Sequence, residues 1–252
     1  ESGRAFIAGD AAHVMSPTGG FGMNTGIGDA VDLSWKLAAT LAGWGGSALL
    51  DSYSVERQPV GLRNVTEASG NLRRTVSPGR NAVICNDTPE GARVRAEVGR
   101  EFAATMRGEW FTPGIHLGYR YAESPICWPD GTPPTPDEAT TYVPSARPGG
   151  RAPHVWLADG RSTLDLYGRG FTLLRLGPAD PRSLAEAAAK RDVPLDVVTL
   201  DEPAVRAAYE RQLVLVRPDG HVAWRADVPP PDALAVIDRV RGAAPRAWLN
   251  AE

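Results

Sequence analysis

Lysine is almost missing from this chain. Only Lys36 and Lys190 occur in 252 residues, so Arg supplies nearly all the positive charge. With a formal net charge of −3 and no basic run interleaved with aromatics, no nucleic-acid partner is expected. Cysteine is equally scarce. Cys85 and Cys127 stand far apart with no CxxC, which excludes a disulfide framework and a zinc knuckle and makes a reducing, cytoplasmic compartment the default. The four histidines, His13, His116, His154 and His221, sit alone without metal-ligand spacing, so no metal is expected. No apolar run approaches the roughly 18 residues of a membrane span, and no signal peptide is visible, so no membrane partner is expected. There is no Gly-Lys-Ser/Thr for a Walker loop and no G-x-S-x-G elbow for an α/β-hydrolase.

What the chain does have is enough apolar sequence (42%) for a packed core. The richness in Ala, Gly, Pro and Arg suggests a GC-rich, bacterial coding sequence. "RAFIAG" (Arg4 to Gly9) has the texture of a buried strand at the very start, so an N-terminal part of a longer protein is expected to be missing. Apolar spacing predicts a helix from Met23 to Ala42, carried by Ile27, Ala30, Val31, Ser34, Leu37, Ala38 and Leu41, and stopped by Gly43, Gly45 and Gly46. A second helix is expected from near Leu49 to Ser69, bent or interrupted at Pro59. Polar, Arg-rich sequence then runs from Asn71 to Asn81, within an Arg63 to Arg80 stretch expected to be a solvated face. A third helix is expected over Pro89 to Arg107, with Val94, Val98, Phe102 and Met106 on one side. "HLGYRY" (His116 to Tyr121) is expected to be a strand that docks the tail onto the body, and Trp35 and Trp44 to be core or interface aromatics.

From Ser124 to Gly150 seven prolines remove all periodicity, so residues 126–150 are expected to connect a body (1–125) to a C-terminal domain (151–252). In that domain, "HVWLADG" and "STLDLYG" predict short strands flanking a turn, and "FTLLRLG" (Phe171 to Gly177) a buried strand. A helix over Pro181 to Arg191, a strand over Leu195 to Leu200 and a short helix over Glu202 to Glu210 follow. A hairpin over Leu213 to Ala226 turns at Pro218 to Gly220, and a last helix spans Pro231 to Gly242. The fold class is therefore α/β.

"GDAAHVMSPTGGFGMN" (Gly9 to Asn24) is the stretch with the most chemistry. A Gly-rich loop between strand and helix lets backbone N–H groups approach a ligand, and the helix start adds partial positive charge. "GFGMNT" gives only G-x-G-x-x-T, the loop is about fourteen residues long, and no acidic strand end follows about twenty residues on, so a Rossmann turn is excluded. Asp10, straight after a strand, can accept hydrogen bonds from a diol. The amides of Gly22, Met23 and Asn24 can face an oxygen that gains negative charge. His13 is expected to brace the loop rather than to act as a base.

Gly9-Asp10-Ala11-Ala12-His13, then Pro17, then Gly20-x-Gly22-Met23-Asn24 resembles the second flavin motif of the class A FAD-dependent aromatic hydroxylases related to p-hydroxybenzoate hydroxylase. "DLSWKLA" (Asp32 to Ala38) and "YSVERQPV" (Tyr53 to Val60) resemble the two helices after it. "RAPHVWL", "STLDLYGRGFTLL" and "LVRPDGHVAWR" are similar to the thioredoxin-like tail of the members that hydroxylate phenols and aromatic polyketides. The resemblance implies the C-terminal part of an FAD-binding domain followed by a thioredoxin-like α/β domain without CxxC. It implies a monooxygenase that uses O2, NADPH or NADH, and a flavin C4a-hydroperoxide to hydroxylate a phenolic or polyketide ring. Carried onto this sequence, Gly9, Asp10, Pro17, Gly20, Gly22, Met23 and Asn24 would contact FAD, with Asp10 on the ribityl hydroxyls. Pro17 would lie near the flavin face where oxygen and substrate meet. The expected partners are the aromatic substrate, O2, the missing N-terminal half and a second copy in a homodimer. The alternatives are a non-catalytic structural or oligomerisation module, and a flavin reductase that uses the same loop.

Overall fold

The computed structural model describes residues 4–76 and 82–243. The part of the Arg-rich stretch from 77 to 81 lies outside the described residues. Helix α1 spans Phe21–Leu41, α2 Ser52–Val76, α3 Pro89–Trp110 and α4 Pro113–Leu117. The C-terminal part holds β1 (Phe171–Arg175), α5 (Arg182–Ala189), β2 (Leu195–Thr199), α6 (Pro203–Tyr209), β3 (Leu213–Val216), β4 (Val222–Ala226) and α7 (Ala233–Val240).

The local starts follow capping chemistry. Thr88 accepts from the Gly91 N–H at 3.1 Å with Pro89 just inside α3, and Asp232 accepts from the Ala235 N–H at 2.9 Å to open α7. Pro59 sits inside α2 without ending it, and the helix runs past Ser69 to Val76.

The sheet order is β2-β1-β3-β4, with β1 and β2 parallel and the other pairs antiparallel. Side chains alternate across it. Phe171, Leu173, Leu213 and Leu215 face a core shared with α5, α7 and α1, whereas Leu174, Leu176, Val214 and Val216 face α6 and the chain around Leu157. Edge strand β4 is covered by the Pro-rich stretch: the Trp128 N–H donates to the Ala223 carbonyl at 2.7 Å, and the Gly149 N–H to that of Val222 at 2.8 Å. An edge so covered offers no free ladder to a second chain.

The body and the C-terminal part share one core. Trp35 and Trp44 stack at 6.4 Å, and both meet Phe171 edge-on at 6.0 and 6.1 Å. Gly46 lies so close to the end of α7 that a Cβ there would come within 2.3 Å of the Ala243 nitrogen, and its own N–H donates to the Arg241 carbonyl at 2.6 Å. Both Trp expectations hold.

Four expectations need correction. Arg4 to Ala8 is not a sheet strand; it is extended chain with a single bridge at Ala5, because a strand exists only where a partner strand pairs its backbone. "HLGYRY" is the end of α4 followed by irregular chain. It does dock the tail, through Tyr119 and Tyr121 against His221 and through the Tyr121 N–H to the Gly149 carbonyl at 2.9 Å. "HVWLADG" and "STLDLYG" form one isolated bridge, Trp156 with Ser162, and a capped 3-10 turn at Thr163–Leu166 rather than two strands. Arg63 is not simply solvated; it reaches Asp137 at 2.6 Å and the Gly114 carbonyl at 3.2 Å.

Helix α1 holds a larger surprise. Its buried face is Phe21, Thr25, Asp29, Asp32, Trp35, Lys36 and Ala39. Ile27, Val31 and Leu41, the residues that made the sequence look helical, lie exposed with Met23 on the other side. The helix has turned its charges inward.

Candidate flavin site and the charged core behind it

The loop from Gly9 to Gly20 starts with a 3-10 turn at Gly9–Ala11 and ends where Gly20, at φ +66°, caps α1 without any side-chain hydrogen bond. Asp10 is exposed on the turn and has no hydrogen-bond partner among the described residues. Pro17, Gly20, Met23 and Asn24 are exposed as well. The first turn of α1 carries no acidic residue, and the Asn24 side chain donates back to the Gly20 carbonyl at 3.0 Å. The early amides of the helix thus have no side-chain cap. Gly22 is informative because it sits in regular helix, where glycine costs up to about 1 kcal/mol relative to Ala. Apart from its chain neighbours and its own helix backbone, no protein atom lies within 4 Å of where its Cβ would be. Its bareness relieves no crowding within this chain, so it suits the close approach of a group from outside.

Three residues brace the loop from behind. The buried Asp29 carboxylate accepts from the Gly9 N–H at 3.0 Å, meets His13 Nε2 at 2.7 Å and accepts from Arg57 Nε at 2.8 Å. His13 is therefore the loop brace that was expected. At the other end the Thr18 hydroxyl donates to the Ala68 carbonyl on α2 at 2.8 Å. A groove of about 540 Å³ opens behind the loop between Ile7, His13, Val14, Asp29, Tyr53 and Arg57. Asp10, Pro17, Gly20, Gly22, Met23 and Asn24 do not line it. Tyr53 donates to the Ile7 carbonyl at 2.8 Å, and burial, with Asp29 nearby, pushes its hydroxyl up to about 12.

One turn further along α1 lies a buried ion cluster. Lys36 Nζ donates to Asp32 at 2.8 Å and to Glu56 at 2.6 Å. Arg217, fully buried in the turn between β3 and β4, donates to Glu56 at 2.6 and 2.9 Å, to Asp32 at 3.0 Å and to Asp219 at 2.5 and 3.1 Å. Ser124 donates to Glu56 at 2.5 Å and Trp35 Nε1 to Asp219 at 3.3 Å. Burial disfavours charge on each carboxylate, but the outcomes differ with the neighbours. For Glu56 the adjacent Arg217 and Lys36 outweigh burial and hold it at about 2. For Asp219 the adjacent Arg217 does the same and keeps it well below the usual carboxylate range. Asp32 goes the other way: burial, with Glu56 beside it, pushes it well above that range. Two cations thus face three carboxylates, and Asp32 is the one whose carboxyl is pushed upward.

Sequence reasoning missed Asp29, Asp32, Glu56, Arg57 and Arg217 as parts of this arrangement. The available signal was Asp29, Asp32 and Lys36 spaced three and four apart on one face of an otherwise apolar helix.

Comparison with known proteins assigns the chain to a class. The family described as "FAD binding domain" matches residues 1–68, and "Aromatic-ring hydroxylase, C-terminal" matches residues 145–246. The chain belongs to the FAD-dependent aromatic hydroxylases, and its mixed α/β fold is theirs. Among particular relatives, it is 41% identical to the FAD-dependent monooxygenase apdD of Emericella nidulans, over 89% of this chain and 38% of that protein. It is 38% identical to the tetracenomycin B2 monooxygenase-dioxygenase of Streptomyces olivaceus, over 95% of this chain and 42% of the relative. It superposes at a TM-score of 0.90 and 51% identity on chromopyrrolic acid-soaked RebC with bound 7-carboxy-K252c, covering 97% of this chain and 47% of that one. The chain thus spans less than half the length of these relatives. Among the described residues no helix is long and apolar enough to cross a membrane, and no group of three metal-binding side chains occurs.

Proposed function

We propose that this chain forms one wall of the FAD site of a monooxygenase that hydroxylates a phenolic or polyketide aromatic ring. The observation that carries the reading is the bare, uncapped start of α1 at Gly20 to Asn24, with the Asp10 carboxylate, unpartnered among the described residues, on the same loop. That donor and acceptor set fits FAD: Asp10 would accept from the ribityl hydroxyls. The Gly22, Met23 and Asn24 amides would stabilise negative charge where the reduced ring gathers it. Gly9 would keep the backbone close at the turn, and Pro17 would border the space for oxygen and substrate. Bound FAD would supply hydride acceptance from NADPH or NADH and activation of O2. The family description "Aromatic-ring hydroxylase, C-terminal" and a relative described as "Putative polyketide hydroxylase" support the substrate class. The lack of CxxC and the scarcity of cysteine support a cytoplasmic setting and a thioredoxin-like tail without dithiol chemistry.

The test uses a protein that carries the complete FAD domain joined to this chain. Asp10→Ala should weaken FAD binding at least tenfold by flavin fluorescence titration. Unchanged affinity would overturn the site assignment. With the wild type, a phenolic ligand should accelerate NAD(P)H consumption, and oxygen-18 from O2 should appear in the ring.

A further inference from the structure

We infer that the hairpin turn Arg217 to His221 of the C-terminal domain is a positioning element for the flavin loop, acting through Tyr121, Arg57 and Asp29. The inference rests on the reading of Gly9 to Asn24 as a flavin loop. Its contacts form a continuous buried path. The His221 ring packs on the Tyr121 ring at 4.3 Å and 32°, and the Arg217 guanidinium lies 5.1 Å from that ring's centre. The Tyr121 hydroxyl accepts from Arg57 Nη1 at 3.3 Å. The same Arg57 donates through Nη2 to the Thr25 carbonyl at 3.2 Å and through Nε to Asp29 Oδ1 at 2.8 Å. Asp29 Oδ2 then holds the Gly9 N–H, immediately before Asp10, and His13, three residues after it. A second strand of the path reaches α1 directly, from Arg217 to Asp32 and from Asp219 to Trp35.

Asp29, Arg57, Tyr121, Arg217 and His221 are all at most 4% exposed. A buried ionic route of this kind adds little net stability over an apolar one of the same volume. What it supplies is direction. The planar guanidinium of Arg57 is held by three partners at fixed angles, so a shift at Tyr121 rotates the fork that orients Asp29. Low local dielectric makes that orientation strongly felt. The C-terminal domain, which presents no thiol pair for redox work, thereby acquires a role at the cofactor loop.

The experiment reads the loop itself, by NMR on the 252-residue chain. The reporters are the Gly9 amide proton, which donates to a carboxylate, and the His13 ring nitrogens. Tyr121→Phe keeps the ring packing and deletes only the hydroxyl. It should move both reporters and speed Gly9 amide exchange at least threefold, while β1 and β3 amides stay in place. Arg217→Lys, which keeps the charge and loses the fork, should move the same reporters. Asp29→Asn is the positive control. If Asp29→Asn moves the reporters but neither Tyr121→Phe nor Arg217→Lys does, the tail does not position the loop and the inference is overturned. That result would leave the flavin reading intact, since the latter stands or falls on the Asp10→Ala titration.

Discussion

Asp29 serves three donors with two oxygens, and none of the three lies within fifteen residues of it in sequence. Such a residue cannot be recognised from its neighbours alone. Asp10, Gly20 and Gly22, proposed above as flavin contacts, could be picked out because they share one short run of sequence. The residues that hold that loop recruit partners from wherever the fold brings them. Arg217 is the extreme case, 161 residues from Glu56 and fully buried. Arg217→Ala would strand the buried carboxylates Glu56 and Asp219, so the folding free energy should fall by about 3–5 kcal/mol in urea denaturation. A loss below 1 kcal/mol would mean that the cluster is solvated in solution. Glu56 also sets an acid limit. Its carboxyl is lowered from 4.5 to about 2 in the folded chain, so its stabilising effect is complete above pH 4.5. That effect drains away as pH falls toward 2. Glu56→Gln should flatten the pH dependence of stability in that window, measured by urea midpoints at successive pH values. Asp32 acts with the opposite sign: its raised carboxyl favours the folded state at low pH, and that contribution is lost as pH rises through its folded value.

At the level of elements, β1, β2 and the β3–β4 hairpin were legible because runs such as "FTLLR" and "LVLV" are apolar on both faces and are bounded by turn residues. The segments that failed, Arg4 to Ala8, His116 to Tyr121 and the pair "HVWLADG" and "STLDLYG", have strand texture but at most an isolated bridge among the described residues. Texture fixes an inclination, and pairing decides. Helix α1 was legible as a helix but its buried face was not, since ion partners on α2 and the β3–β4 turn draw Asp29, Asp32 and Lys36 inward. Two substitutions probe element joints. Pro59 is exposed in mid-α2 and costs one backbone hydrogen bond, so Pro59→Ala should stabilise by about 2 kcal/mol, read as a rise in Tm. Gly46→Ala would drive a methyl into the backbone at Gly242 and Ala243 and should destabilise by roughly 1–3 kcal/mol. A neutral result there would mean that the end of α7 yields freely.

For the whole molecule, composition suggested a body and a C-terminal part with a Pro-rich stretch between them. Invisible was how firmly they are fused, because fusion depends on Trp35 and Trp44 meeting Phe171 and on an ion cluster fed from both sides. The chain should therefore unfold in one calorimetric transition, with calorimetric and van't Hoff enthalpies in agreement. Two resolved transitions would contradict a shared core. The same cluster also constrains heredity. Arg217 answers to carboxylates on α1 and α2, in the stretch that matches the FAD-binding family, while it lies in the stretch that matches the hydroxylase C-terminal family. A chimera that grafts this tail onto a relative's body without counterparts to Asp32 and Glu56 would leave Arg217 with Asp219 as the one remaining carboxylate of its three. Recombination between relatives can exchange these halves only as matched sets, so lineage trees built from either half should agree.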